Sequence, residues 1–177
     1  MRRALVPSGR GLLLRLVTGG GHSAEDADRP AVPRVVRRRV VEAGVDDVWA
    51  LVGNLREHER LIPLTKIAAP DRTVRAGDCV VAVSARFVVD RMTVLAVRET
   101  QQGARWAELE KTGPLLAGRA HVAVRPCGPR STLVVWAEDV TFAPLAGTVA
   151  GRLVDAVQDL VLTAMCDLAL ARLARLV

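Results

Sequence analysis

A tryptophan and a carboxylate two positions apart are the residues whose types and spacing could perform chemistry. Glu138 follows Trp136 in a Val-rich segment, so the two side chains lie on the same face of a predicted strand. A carboxylate held beside an indole in a dry pocket acquires a raised pKa, which suits a general acid or base. Glu138 is therefore the catalytic candidate, on the condition that Trp136 faces inward.

Two alternatives stay open for this segment. If the strand has the opposite parity, Asp139 faces inward and the argument moves to that residue. The competing interpretation treats Glu138 as an exposed strand carboxylate paired with Arg119 or Arg125, because ionised side chains are rarely buried. The sequence does not tell which of Glu138 and Asp139 faces inward.

The other polar residues considered for the site occur in sequence patterns that predict surface positions. His121 alternates in phase with two nearby arginines, which predicts a solvated face, and no partner that would orient a catalytic histidine is visible. His58 falls in a polar helical turn and is expected to be exposed. Asp90 and Arg91 are expected to form a local pair at the sheet edge, a contribution of about 0.5 kcal/mol.

Composition excludes several classes of function. The chain has 177 residues and a net charge of +6, and only 3% of its residues are aromatic. So few aromatics, together with scattered positive charges, argue against a nucleic-acid partner. The sequence has no phosphate-binding glycine loop, no nucleophile elbow and no metal-ligand spacing. We therefore expect no cofactor and no metal.

Cysteine usage and hydropathy indicate the compartment. The chain has three cysteines that lie far apart in the sequence, namely Cys79, Cys127 and Cys166. We expect them to be small core residues of a protein in a reducing environment. No segment approaches the ~18 consecutive apolar residues of a membrane span. A cytoplasmic protein without a membrane span, monomeric or homodimeric, is the expectation.

The first 32 residues differ in composition from the rest. Gly19, Gly20 and Gly21 precede an acidic stretch and Pro30, which predicts a flexible or disordered tail over residues 1–32. Arg10 and Arg15 interrupt the short apolar stretch that would otherwise suggest a signal peptide. One folded domain is expected over residues 33–177.

Hydrophobic periodicity predicts a strand over residues 34–42, then helices over 45–52 and 55–62. Short strands divided by turn residues follow between 79 and 142, which indicates an antiparallel meander. A helix from 144 to 176 would be about 45 Å long and would cross the whole sheet.

The long helix has two predicted faces. Asp155 and Asp159, with Arg152, are expected to form a solvent-exposed charge ladder. The face expected to pack inward consists of apolar residues at helical spacing, namely Val149, Leu153, Val157, Leu160, Val161, Ala164 and Leu168.

This order of elements resembles the helix-grip fold of the START-like, Bet v 1-like superfamily (SRPBCC), which includes the polyketide cyclase/dehydrase group. Three local strings carry the resemblance and are similar to an actinobacterial subgroup: VEAGVDDVW at 41–49, DRMTV at 90–94 and WAEDV at 136–140. The resemblance covers about residues 34–175. It implies an α+β fold, in which a curved antiparallel sheet of six to seven strands wraps around a long C-terminal helix, with two short helices after the first strand.

The resemblance also implies a cavity between sheet and helix that holds an apolar small molecule, such as a lipid, a quinone or a polyketide-like compound. Leu61 and Ile62 are expected at the cavity mouth. The full set of expected ligand-binding residues is Leu61, Ile62, Met92, Val94, Leu109, Val122, Trp136, Glu138, Val157 and Val161. Each apolar member could equally belong to a filled core. The alternative function is a polyketide cyclase/dehydrase-type enzyme that uses Glu138 as general acid or base.

Overall fold

The computed structural model describes residues 33–177, and the tail predicted over residues 1–32 lies outside the described residues. The described chain forms one antiparallel sheet in the order β1-β7-β6-β5-β4-β3-β2. Its strands are β1 Val35–Val41, β2 Thr65–Ala68, β3 Cys79–Ser84, β4 Val88–Glu99, β5 Arg105–Thr112, β6 Leu116–Gly128 and β7 Ser131–Phe142. The helices are α1 Val45–Val52, α2 His58–Leu61 and α3 Val149–Leu176, with 3-10 turns at Leu55–Glu57 and Ala143–Leu145.

This architecture is the helix-grip fold, so the predicted fold class is confirmed. The sequence did not locate β2, because its four residues are too few to show a period of two. Leu64 immediately before it has a φ of 55°, a left-handed conformation that turns the chain into the strand. The helix predicted over residues 55–62 is a 3-10 turn continued by α2.

The first helix forms as its sequence predicts. Val48, Trp49 and Val52 form its buried face, and two aspartates in the first turn favour the positive end of the helix dipole. Gly53 ends the helix where a Cβ atom would lie 2.6 Å from Cε2 of Trp49. The absence of a side chain at Gly53 therefore lets the tryptophan pack against the chain that leaves the helix.

Close approach of strands bends the sheet around its concave face. Gly118 has a φ of 141°, and a Cβ atom there would lie 2.1 Å from the carbonyl oxygen of Asp139 on β7. The register also shifts between Val94 and Ala96 in the pairing of β4 with β5. Bulges and glycine kinks of this kind increase sheet curvature.

The predicted packing of α3 is wrong along the whole helix, since all seven apolar residues expected to pack inward are exposed, Ala164 and Leu168 in the second half included. Val149, Leu153 and Leu160 are 82%, 72% and 69% exposed. The helix packs through its second half instead, where the buried residues are Leu162, Cys166, Ala169, Leu170 and Leu173. None of these buried residues belongs to the predicted face, and beneath the first half of the helix lies a cavity that Leu153, Val157 and Val161 line.

The expected charge ladder on α3 is also wrong. Arg34, just before β1, pairs through Nη1 with Asp155 at 3.1 Å and through Nη2 with Asp159 at 2.9 Å. Asp155 Oδ1 also accepts a hydrogen bond from the backbone N–H of Phe142 at 3.0 Å. These contacts attach the first half of α3 to the end of the sheet.

The cysteines have two kinds of environment. Cys166 is buried in the core, as expected, whereas Cys79 and Cys127 are exposed, so the prediction of core positions is wrong for those two.

Candidate ligand-binding site

An open cavity of about 720 Å³ lies between the concave face of the sheet and the first half of α3. Small-molecule sites typically occupy about 300–1,000 Å³ and are mostly apolar with a few polar groups. Most of the side chains around the cavity are apolar here as well, contributed by β2 to β7, by Ile62 and by α3. Leu153, Val157 and Val161 line it from the helix and are more than half exposed, because the cavity opens beside them.

Eight of the ten residues predicted to bind a ligand lie around this cavity. They are Ile62, Met92, Leu109, Val122, Trp136, Glu138, Val157 and Val161. Leu61 and Val94 do not line it, since each is 1% exposed and packs within the main hydrophobic core. Leu61 is the last residue of α2 and turns into the core, so only its neighbour Ile62 reaches the cavity.

Trp136 and Glu138 both face the cavity, which resolves the parity of β7. Glu138 is 2% exposed, and its Oε1 accepts a hydrogen bond from Trp136 Nε1 at 3.0 Å. The register places Asp139 opposite Arg119 on the other face of the sheet. The interpretation of Glu138 as an exposed carboxylate paired with Arg119 or Arg125 is therefore wrong.

A lysine and two carboxylates form a buried ionic group in the cavity wall. Lys111 Nζ lies 2.8 Å from Asp90 Oδ2 and 3.2 Å from Glu138 Oε2. Lys111 is 6% exposed and Asp90 8%. Buried charges occur where they are paired, and removing one partner leaves an uncompensated charge.

The two carboxylates hold Lys111 in its charged form. Burial by itself lowers the pKa of the Lys111 ammonium, but the charges of Glu138 and Asp90 outweigh burial and raise that pKa above its ordinary value. Glu138 therefore lies in the cavity as the counter-ion of a lysine and the acceptor of an indole N–H.

The expected local pair of Asp90 with Arg91 is wrong, because Asp90 points to the cavity and binds Lys111. Sequence reasoning missed Lys111 as a site residue. The signal was present, since a strand that places Trp106, Glu108 and Glu110 on one face puts Lys111 beside Leu109 on the other. A lysine in phase with a core leucine needs a buried counter-ion, and that rule could have found the pair.

His58 is buried under the site, so its expected exposure is wrong. Its ring lies 5.0 Å from that of Trp136, centroid to centroid, and its Nε2 is 2.9 Å from the carbonyl oxygen of Val52. Burial lowers the pKa of His58 to about 4, so the ring is neutral near pH 7. A neutral ring with Nε2 against a carbonyl donates its proton there, which fixes the tautomer.

His121 alternates onto the convex face, as its phase with the arginines predicts, and it also borders the cavity, but it is buried rather than solvated. The register places it opposite Glu108, which pairs with Arg119. Burial lowers the pKa of His121, and the charge of Arg119 lowers it further against the opposing charge of Glu108. Long arginine stems can cover a sheet face in this way, which residue types alone do not reveal.

Within residues 33–177, no group of three or more His, Cys, Asp and Glu side chains is arranged to hold a metal ion. Among the helices of that same range, none is long and apolar enough to cross a membrane.

The curved sheet, the long helix and the apolar cavity between them form a helix-grip fold. A START superfamily protein from Mycobacterium smegmatis superposes with a TM-score of 0.56 at 16% identity, over 81% of this chain and 98% of that chain. This likeness supports the resemblance noted in the sequence. At such identity it shows the fold alone.

Two further solved structures have the same fold. Norcoclaurine synthase from Thalictrum flavum, solved in complex with dopamine and hydroxybenzaldehyde, has a TM-score of 0.55 at 14% identity, over 88% of this chain and 96% of that chain. The di-domain ARO/CYC BexL from the BE-7585A biosynthetic pathway has a TM-score of 0.54 at 15% identity, over 80% of this chain and 45% of that chain. No family model matches the sequence, and no curated protein sequence matches it.

Proposed function

We propose that this protein binds an apolar small molecule, such as a lipid, a quinone or a polyketide-like compound, between the sheet and α3. The observation that carries the proposal is the cavity of about 720 Å³, which is lined mostly by apolar side chains and is open beside Val157 and Val161. An apolar wall without a ligand is exposed to water, and burying it against an apolar molecule is favourable. Shape selects the ligand body, and the ionic group of Lys111, Asp90 and Glu138 selects its polar end.

Relatives in fold support this use of the cavity. The Thalictrum flavum structure holds dopamine and hydroxybenzaldehyde, which are small molecules with an aromatic ring. Ligand binding in this chain would use the space between the sheet and α3.

Native mass spectrometry of the freshly purified protein tests the proposal. We expect an added mass of a few hundred daltons that is lost on organic extraction, and the extract supplies the ligand for identification. A clean apo mass, together with no uptake of an added uncharged apolar probe, would contradict it. The same spectrum reads the oligomeric state, for which a monomer or homodimer is predicted. A cytoplasmic location stays a prediction as well.

A second candidate is a polyketide cyclase/dehydrase-type enzyme. The inward position of Glu138 favours it, since enolisation or loss of water from a poly-β-ketone needs an acid or base at the cavity wall. The ARO/CYC structure shares the fold. Glu138→Gln is the probe: cyclisation of a poly-β-ketone at an undiminished rate in this variant would remove Glu138 from the mechanism.

A further inference from the structure

The ionic group in the cavity wall carries an excess of negative charge. Among the lining residues that the structure describes, Asp90, Lys111 and Glu138 are the charged ones. Two carboxylates and one ammonium leave one negative charge uncompensated in an apolar surrounding. Charge is costly there, because the low dielectric strengthens every unbalanced interaction.

In the described part of the chain, one oxygen of this group, Oδ1 of Asp90, has neither a hydrogen-bond donor nor an ion-pair contact, whereas Oε2 of Glu138 keeps its ion pair with Lys111. Lys111 binds Oδ2 of Asp90, and within residues 33–177 no donor lies within hydrogen-bonding distance of the buried Oδ1 of that carboxylate. A buried carboxylate oxygen without a donor loses its hydration and gains nothing in return. The cavity therefore offers an acceptor to whatever molecule enters it.

Apart from His121, whose Nδ1 has no hydrogen-bond partner among the residues that the structure describes, the uncharged polar side chains that line the cavity are already engaged within the protein. Trp136 donates to Glu138, and the amide of Gln158 donates to the carbonyl oxygen of Val140 at 2.9 Å. The hydroxyl groups of Thr65 and Ser84 form a hydrogen bond of 2.8 Å, and Nε2 of His58 donates to the carbonyl oxygen of Val52. The wall thus presents a free acceptor and a negative charge, and the complementary ligand group is a positively charged donor.

The environment of Cys166 is consistent with this negative field. Burial, and after it the charge of Glu138, raise the pKa of the Cys166 thiol to about 12.

We propose that the cavity selects apolar molecules that end in a protonated amine, and that the ligand ammonium binds Asp90 Oδ1. The ammonium brings the group to two positive and two negative charges and supplies the missing donor. Lys111 keeps its place on Oδ2, so one carboxylate bridges the two cations. This inference rests on the proposed function, because it needs the cavity to bind an apolar ligand.

The test compares three ligands with the same apolar chain and different ends: decylamine, 1-decanol and decanoate at pH 7.5. Each displaces the uncharged fluorescent probe N-phenyl-1-naphthylamine from the full-length protein. We expect decylamine to displace the probe at a concentration at least tenfold lower than 1-decanol requires, with decanoate the weakest. The net charge of the chain is +6, so non-specific attraction would favour decanoate, opposite to the expected order.

Asp90→Asn removes the acceptor charge and nearly preserves the shape of the side chain. We expect the advantage of decylamine over 1-decanol to fall about tenfold in this variant, while 1-decanol binds as before. The order in which the wild-type protein binds the three ligands tests the amine proposal even if the variant does not fold. Equal or stronger binding of 1-decanol or decanoate by the wild type would overturn the amine proposal alone. If the probe does not bind at all, the cavity proposal fails, and this inference fails with it.

Discussion

The indole nitrogen of Trp136 donates a 3.0 Å hydrogen bond to Oε1 of Glu138, two residues further along β7. Because both side chains point to the cavity, the bond aims the carboxylate at Lys111 from β5, whose ammonium also binds Asp90 from β4. Three strands thus meet at one ionic group within an apolar wall. Glu138 is therefore a counter-ion of Lys111 whose orientation is held by the indole of Trp136.

Lys111→Met is expected to destabilise the fold strongly. The variant leaves two carboxylates buried without a cation, a change that typically costs about 3–5 kcal/mol. Urea unfolding followed by circular dichroism measures the difference in the free energy of unfolding. Lys66 is the matched control, since it is the other lysine of the chain and its side chain is 86% exposed. Lys66→Met should cost less than about 1 kcal/mol. Equal effects of the two variants would contradict the buried ionic group.

Val161→Trp is expected to prevent uptake of N-phenyl-1-naphthylamine without unfolding the protein, because the indole fills space at the cavity wall. Val157→Trp should act in the same way, since both residues line the cavity. Leu160→Trp is the matched control: Leu160 is 69% exposed against 61% for Val161, but it does not line the cavity. Fluorescence titration reads the result. Undiminished uptake by the two cavity variants would show that the probe binds elsewhere.

The stability of the protein is expected to fall on acidification from about pH 6.5 to pH 4, partly through His58. Its pKa is about 4 in the folded protein against an ordinary value of 6.5, so the unfolded chain binds the proton first. Stability therefore rises with pH in this window, by up to about 3 kcal/mol from this residue at 1.36 kcal/mol per pKa unit.

Thermal unfolding of the wild type and of His58→Gln across that window isolates this contribution. The variant has no titrating ring at this site, so its melting temperature should fall less steeply between pH 6.5 and pH 4. His121 contributes in the same direction in both proteins and cancels from the comparison. Parallel curves for the two proteins would mean that His58 does not titrate as its burial requires.

Arg34→Gln is expected to loosen the first half of α3. The arginine holds Asp155 and Asp159 through partly exposed ion pairs, which together contribute about 1 kcal/mol. Amide hydrogen exchange over residues 153–162 should accelerate about fivefold, which is the equivalent of that free energy. Arg37→Gln is the control, because Arg37 pairs with Asp167 further along the same helix. Unchanged exchange in the Arg34 variant would place the attachment of the helix elsewhere.

The strand and helix pattern was predictable because it depends on local spacing. Periods of 2 and 3.6 mark most strands, α1 and α3, and the order of those elements was enough to indicate the helix-grip fold. Eight of the ten predicted ligand-binding residues lie around the cavity for the same reason, since each is in phase with an inward face. The pairing of Trp136 with Glu138 on one face also follows from a period of two.

Only the tertiary structure decided which groups meet and which faces are covered. Asp90, Lys111 and Glu138 come from three strands, and the register that joins them depends on turns and a bulge that periodicity does not encode. Burial of His58 and His121 depends on what packs over them, and exposure of Leu153 depends on the cavity that opens between the sheet and α3. The sequence by itself determined the elements and their apolar faces. Their packing decided the charge, the opening and therefore the ligand chemistry of the cavity, because electrostatics and solvent access depend on distances between residues far apart in the chain.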